Sequence, residues 1–114
     1  VNDSAITAWD ALPAISNTIG GKATIIADTG VRRGSDVLKG LALGADVIAV
    51  GRATLYGLAA AGEIGATRAL EILESEIRRT MAIMGVTHIS GVTRDHIRLP
   101  ADLPVSGHAC LTSQ

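Results

Sequence analysis

The stretch 23-ATIIADTGVRRGSDVLKGLALGADVIAVGRATLYGLAAA-61 decides how this chain is read. It holds two short apolar runs, 23–27 and 46–50. Each is followed at once by a turn carrying glycine and arginine: Thr29-Gly30-Val31-Arg32-Arg33 after the first, Gly51-Arg52 after the second. Runs this short, without alternation, suit parallel strands covered on both faces. Between them Gly34-Ser35-Asp36 offers a helix N-cap, and the apolar segment 37–43 ends at Gly44, placed as a C′ glycine. The expected unit is a βαβ crossover with both Gly–Arg turns on one edge of a sheet.

Such an edge suits an anion. Glycine lets backbone N–H groups approach a ligand closely, a following helix start leaves N–H groups unpaired at a positive dipole end, and arginine adds a planar fork that matches phosphate oxygens. In (β/α)8 barrels a phosphate site is frequently built from the loops after strands 7 and 8 and the N-terminus of a short extra helix. Residues 53–61, directly after Gly51-Arg52, are expected to be that helix. A single Gly–Arg pair would read as an ordinary solvated turn; two in successive βα units favour a phosphate.

The same residues carry a resemblance. Residues 28–39 (DTGVRRGSDVLK), 41–45 (LALGA), 51–59 (GRATLYGLA) and Gly62-Glu63 resemble the carboxyl-terminal part of the FMN-dependent α-hydroxy-acid dehydrogenases and oxidases. That family includes glycolate oxidase, lactate oxidase and mandelate dehydrogenase. The run from Gly51 is most similar to the mandelate dehydrogenase branch, and the likeness extends over roughly residues 3–97. The shorter pattern Asp-x-Gly-x-Arg with Ala-Leu-Gly-Ala is also similar to the phosphate-binding half of inosine monophosphate dehydrogenase. Arg32-Arg33-Gly34, Arg52 and the Leu-Tyr-Gly-Leu-Ala helix favour the hydroxy-acid family, which has Gly or Ser where this chain has Thr29.

The resemblance implies FMN as cofactor. It implies that Asp28 bonds the ribityl chain, that Thr29, Gly30, Val31 and Arg32 wrap the ribityl and phosphate end, and that Gly51 with Arg52 closes on the phosphate. Asp28 also has a purely structural reading, as a cap on the turn after its strand. The implied fold is the carboxyl-terminal part of a TIM (β/α)8 barrel, about strands 7 and 8 with flanking helices, over residues 1–97, followed by a surface tail over 98–114. A barrel of this kind takes about 250 residues, against 114 here. The expectation is therefore completion by a missing segment or a second chain. That segment would carry the histidine base and the substrate-binding arginine, and no catalytic residue is assigned to this chain.

Composition bounds the remaining classes. A hydrophobic fraction of 47% with one Trp, one Tyr and no Phe describes an aliphatic α/β core rather than a base-stacking surface, and a net charge of −1 argues against a dedicated nucleic-acid surface. The lone Cys110 allows no internal disulfide and reads as a bystander thiol. His88, His96 and His108 show no metal-ligand spacing, so no metal is expected. There is no run of membrane-spanning length; the expected location is cytoplasmic or peripheral to a membrane.

Outside the central stretch, Asp3 or Ser4 is the expected cap of a first helix over 5–18, with Pro13 bending or interrupting it, and Gly20-Gly21-Lys22 turns into the first strand. After Gly62-Glu63-Ile64-Gly65, residues 66–84 form the longest periodic segment. Ala66, Ala69, Leu70, Leu73, Ile77, Met81 and Met84 make its apolar stripe, and Gly85 stops it. Residues 87–97 read as a loop and a short helix starting near Thr93.

The leading expectation is oxidation of a 2-hydroxy acid, mandelate-like, to a 2-oxo acid, in a homo-oligomer (tetramer or octamer) of the completed barrel. The alternatives are a nucleotide dehydrogenase of the inosine monophosphate type and a non-catalytic half-barrel assembly piece.

Overall fold

The structure is a computed structural model that describes residues 5–98. Asp3, Ser4, His108, Cys110 and the tail beyond Arg98 lie outside the described residues. The element order is α1 (Ala8–Ile19), β1 (Ile26–Ala27), α2 (Gly34–Ala42), β2 (Val47–Ile48) and α3 (Arg52–Met84), followed by 3-10 turns at Ile89–Gly91 and Arg94–His96.

Helix α1 starts later than expected, and a different residue caps it. Thr7 is the N-cap: its Oγ1 accepts from the Asp10 N–H at 3.2 Å, while its hydroxyl donates to the Asp10 carboxylate. A threonine followed three residues on by an acid can satisfy both ends of that exchange. The helix continues through Pro13 and stops at Gly20, whose N–H donates to the Ser16 carbonyl at 2.9 Å.

β1 and β2 pair in parallel, Ile26 with Val47 and Ala27 with Ile48. Ladder bonds run from the Val47 N–H to the Ile25 carbonyl at 3.1 Å and from the Ala49 N–H to the Ala27 carbonyl at 2.9 Å. The Asp46 carboxylate adds a bond from the Ile25 N–H at 2.8 Å. Both strands are shorter than the apolar runs that contain them, and only one face of the ladder is covered. Ala27 and Ile48 pack into a cluster with Leu12, Leu43, Ala45 and Trp9. On the other face Ile26 is 63% exposed and Val47 46%. The expected cover on both faces is absent there because neither helix α1 nor α2 reaches that side.

The N-cap of α2 is Arg33, one residue before the expected Gly34-Ser35-Asp36; Asp36 sits at the third helical position and bonds back. Leu38, 2% exposed, centres a second cluster with Ala42 and Val92, against which Ile77, Met81 and Met84 of α3 pack. Full burial of one leucine is worth about 1.5–3 kcal/mol, so this seam fixes α2 on α3. The apolar stripe of α3 is buried at Leu73 and half-buried from Ile77 to Met84, while Leu70, placed on it by spacing, is 54% exposed.

Helix α3 is two helices. Ala61 (φ −151°, ψ 29°) and Gly62 (φ 60°, ψ −143°) break it into 52–60 and 63–84. The first piece is the expected short helix, and the second starts at Glu63, so Glu63-Ile64-Gly65 is helical rather than a lead-in. The pieces cross in backbone contact at Gly57 and Gly65, where a Cβ on either would collide with the other's carbonyl.

Candidate anion-binding site

The ladder delivers the two Gly–Arg turns side by side. After β1 the chain runs through Asp28 to Arg32; after β2 it passes Ala49 and Gly51 into the start of α3. Between them lies a cavity of about 690 Å³ lined by Asp28, Thr29, Gly30, Val31, Arg32, Ala49, Gly51, Arg52, Ala53 and Tyr56. All seven residues singled out from the sequence line it together. Ala49, Ala53 and Tyr56 were not among them. Tyr56 stands four residues after Arg52 in a helix, a spacing that puts both on one face.

The first turn is shaped by Gly30, which adopts φ 52°, a left-handed conformation that no other type of residue takes in the described chain. Thr29 therefore keeps an ordinary backbone, and the departure from Gly or Ser at that position has no conformational consequence. Val31 is buried and pins the turn to the core, while Asp28, Gly30 and Arg32 are exposed. In the second turn the Gly51 carbonyl accepts from the Thr54 hydroxyl at 2.7 Å and from the Thr54 N–H at 3.1 Å, which fixes the first turn of α3.

What the site leaves unpaired is as informative as what lines it. Among the described residues no carboxylate pairs with Arg32 or Arg52. The N–H groups of Thr29, Gly30, Val31, Arg52 and Ala53 meet no acceptor there. Asp28 makes no cap: its carboxylate accepts no hydrogen bond among the described residues. Cations and N–H donors thus surround one cavity, with a single carboxylate at its edge. That composition suits an anion joined to hydroxyl groups.

Around the start of α2, by contrast, the N–H groups of Arg32, Arg33 and Gly34 are held by carboxylates, where unpaired N–H groups were expected. The Arg32 and Arg33 N–H groups donate to Asp36 Oδ2 at 3.2 and 3.1 Å, and the Gly34 N–H donates to Glu76 Oε2 at 2.7 Å. Burial, the largest single influence on Asp36, opposes its ionisation. The Arg32 N–H, the Lys39 ammonium and the Arg33 N–H together outweigh it and hold the carboxyl below its ordinary value.

The two described histidines, His88 and His96, serve local structure. His88 Nδ1 accepts from the Ser90 N–H at 3.3 Å, and His96 Nδ1 from the Thr93 N–H at 3.1 Å. Among the described residues no group of three His, Cys, Asp or Glu side chains is placed to hold a metal ion, and no helix is long and apolar enough to cross a membrane.

Comparison with known proteins shows the family. The sequence model of a family described as FMN-dependent dehydrogenase matches residues 1–99. The chain is 43% identical over 95 residues to an L-lactate dehydrogenase of Pectobacterium atrosepticum, covering 83% of this chain and 25% of that protein. It is 37% identical over 97 residues to an L-lactate oxidase of Nostoc sp., covering 85% and 27%. Among solved structures it matches (S)-mandelate dehydrogenase, described as a monotopic membrane protein, with a TM-score of 0.79 and 41% identity over 85% of this chain and 26% of that one. The structural neighbours are TIM-barrel flavoenzymes. The chain spans about a quarter of the length of the curated relatives it matches.

Proposed function

This chain belongs to the FMN-dependent dehydrogenase family, and from that premise we propose that it supplies the phosphate and ribityl end of an FMN site in an enzyme that oxidises a 2-hydroxy acid to a 2-oxo acid. The observation that carries the reading is the convergence of Asp28, Thr29, Gly30, Val31, Arg32, Gly51 and Arg52 on one cavity whose two guanidinium groups have no carboxylate partner among the described residues.

The residues fit the group. A phosphate dianion needs cations and N–H donors, which Arg32, Arg52, the 29–31 turn and the start of α3 provide. Ribityl hydroxyls need an acceptor, and the free Asp28 carboxylate is one. Bound FMN supplies the two-electron redox chemistry; the chain's own part is to hold and orient the flavin tail and to neutralise its phosphate.

In this reading residues 1–97 are the carboxyl-terminal part of the barrel, with β1 and β2 as strands 7 and 8, and residues 98–114 are a surface tail. The open ladder face bearing Ile26 and Val47 becomes barrel interior once the remaining strands are in place. The proton-abstracting histidine and the arginine that grips the substrate carboxylate come from that remaining segment, and the completed barrel assembles as a tetramer or octamer. The substrate is an α-hydroxy monocarboxylate of mandelate-like type. Location is cytoplasmic or peripheral to a membrane, the latter by analogy with the monotopic relative.

The test is an absorption spectrum of the completed barrel before and after anaerobic addition of mandelate or lactate. A flavin spectrum that bleaches is expected, with the more effective acid naming the side-chain class. A preparation without flavin that also fails to bind added FMN would overturn the proposal.

A further inference from the structure

The geometry points to Glu76 as a positioning residue for the phosphate cradle, an inference that rests on the flavin-site reading above. Helix α2 begins at Gly34, immediately after the first Gly–Arg turn, so its first N–H groups would ordinarily compete for the same anion. In this structure those of Gly34 and Asp36 are taken by the protein. The Gly34 N–H donates to Glu76 Oε2 at 2.7 Å across 42 positions of sequence, in half-buried surroundings. The two preceding N–H groups, of Arg32 and Arg33, converge on Asp36. Three consecutive peptide groups are thereby held by carboxylates, and the donors left for a ligand in this turn are those of Thr29, Gly30 and Val31.

Glu76 can reach because Gly34 has no side chain. A Cβ at Gly34 would lie 2.6 Å from the Glu76 Cβ and 2.5 Å from the Ile77 backbone nitrogen. The backbone of α3 therefore sits directly against the start of α2. The helix that provides Glu76, 63–84, is also the one against which the short helix 52–60, with Arg52 at its start, packs at the Gly57–Gly65 crossing. One hydrogen bond thus ties the peptide that follows Arg33 to helix 63–84, on which the short helix carrying Arg52 is seated, and so bears on how the two guanidinium groups stand relative to each other. Glu76 touches no ligand itself; it acts through the Arg32–Gly34 backbone.

A residue that merely supports the fold would weaken binding of every flavin alike, whereas one that sets the phosphate cradle would weaken only the flavin bearing a phosphate. The experiment therefore measures dissociation constants of FMN and riboflavin for the completed barrel as wild type, Glu76→Met and Glu76→Gln, at a temperature where circular dichroism shows each folded. Methionine keeps the length of the side chain and loses the acceptor; glutamine keeps a neutral acceptor. The preference for FMN over riboflavin is expected to fall about tenfold in Glu76→Met and to recover partly in Glu76→Gln, with riboflavin affinity little changed. If Glu76→Met does not fold, the preference in Glu76→Gln alone decides, and it must lie below wild type. An undiminished preference in the folded variants, or equal losses for both flavins, overturns the role of Glu76 and leaves the flavin site standing. Wild-type protein that binds neither flavin overturns the flavin reading and the role of Glu76 with it.

Discussion

Gly57 and Gly65 cross so closely that the carbonyl of each occupies the place where the other's Cβ would lie. The contact holds the short helix 52–60 against 63–84 across the break at Ala61 and Gly62. Because Arg52 and Tyr56 ride on that short helix, a helix–helix contact outside the cavity governs where one wall of the cavity stands.

Substituting alanine for Gly65 sets two effects against each other. Helix propensity favours alanine by about 1 kcal/mol. Overpacking costs about 1–3 kcal/mol, and here the obstacle is backbone, which cannot rotate away. The expected result is a net loss of stability in thermal unfolding, together with weaker FMN binding as Arg52 is carried outward. A variant more stable than wild type would show that the two helices separate without cost.

In the proposed flavin site, Arg52→Ala removes a charged partner of the phosphate. A hydrogen bond to a charged group is worth about 1.5–3 kcal/mol, so FMN affinity should drop roughly ten- to a hundredfold, with riboflavin affinity retained. Arg32→Ala should behave alike, since both arginines lack carboxylate partners among the described residues. Fluorescence titration of the apoprotein with each flavin checks both.

Gly30 stands at φ 52° with nothing within 4 Å of where a Cβ would be. The cost of Gly30→Ala is therefore conformational, about 1–2 kcal/mol, and Gly30→Asn should cost less because asparagine visits that region more readily. Denaturant midpoints of the two variants should fall in that order; equal midpoints would place the cost in packing instead.

Asp36 gives a pH dependence of definite sign. Its carboxyl is held below the ordinary 3.8, so the folded state binds the proton less tightly than the unfolded chain does. The stability it contributes is present in full above that ordinary value and is lost as pH falls through the lower folded-state value. Asp36→Asn should lower stability at neutral pH and flatten its decline in acid, as followed by denaturation at a series of pH values. A decline as steep as that of wild type would assign the acid sensitivity to other groups.

The convergence of the two Gly–Arg turns is legible in the sequence because its signals are local. Glycine and arginine directly after an apolar run identify a βα turn without knowledge of what packs on it, and all seven residues so marked line one cavity. The cap of α1 is equally local: it is Thr7, with Asp10 three residues later, rather than Asp3 or Ser4. Tyr56 could have been found from its four-residue spacing to Arg52. Glu76 could not. It looks like any solvent-facing acid on a charged helix, and its role comes from a contact 42 positions away that depends on Gly34 having no Cβ. The cover of the second strand face is not read from this chain: Ile26 and Val47 are exposed among the described residues, and in the proposed barrel it is the remaining strands that cover them.

The register that pairs Ile26 with Val47 also bears on how the protein folds. The entropy of closing a loop grows only slowly with length, but contacts between distant positions slow the search for the native state. This ladder closes over about twenty residues, nine of them in helix α2, and helix formation takes about a microsecond or less. Parallel strands joined by longer crossovers must wait for those connections to collapse. The two Gly–Arg turns are thus brought together by one of the nearest parallel pairings a chain can make, and the cradle's backbone can be among the earliest parts of the molecule to take shape.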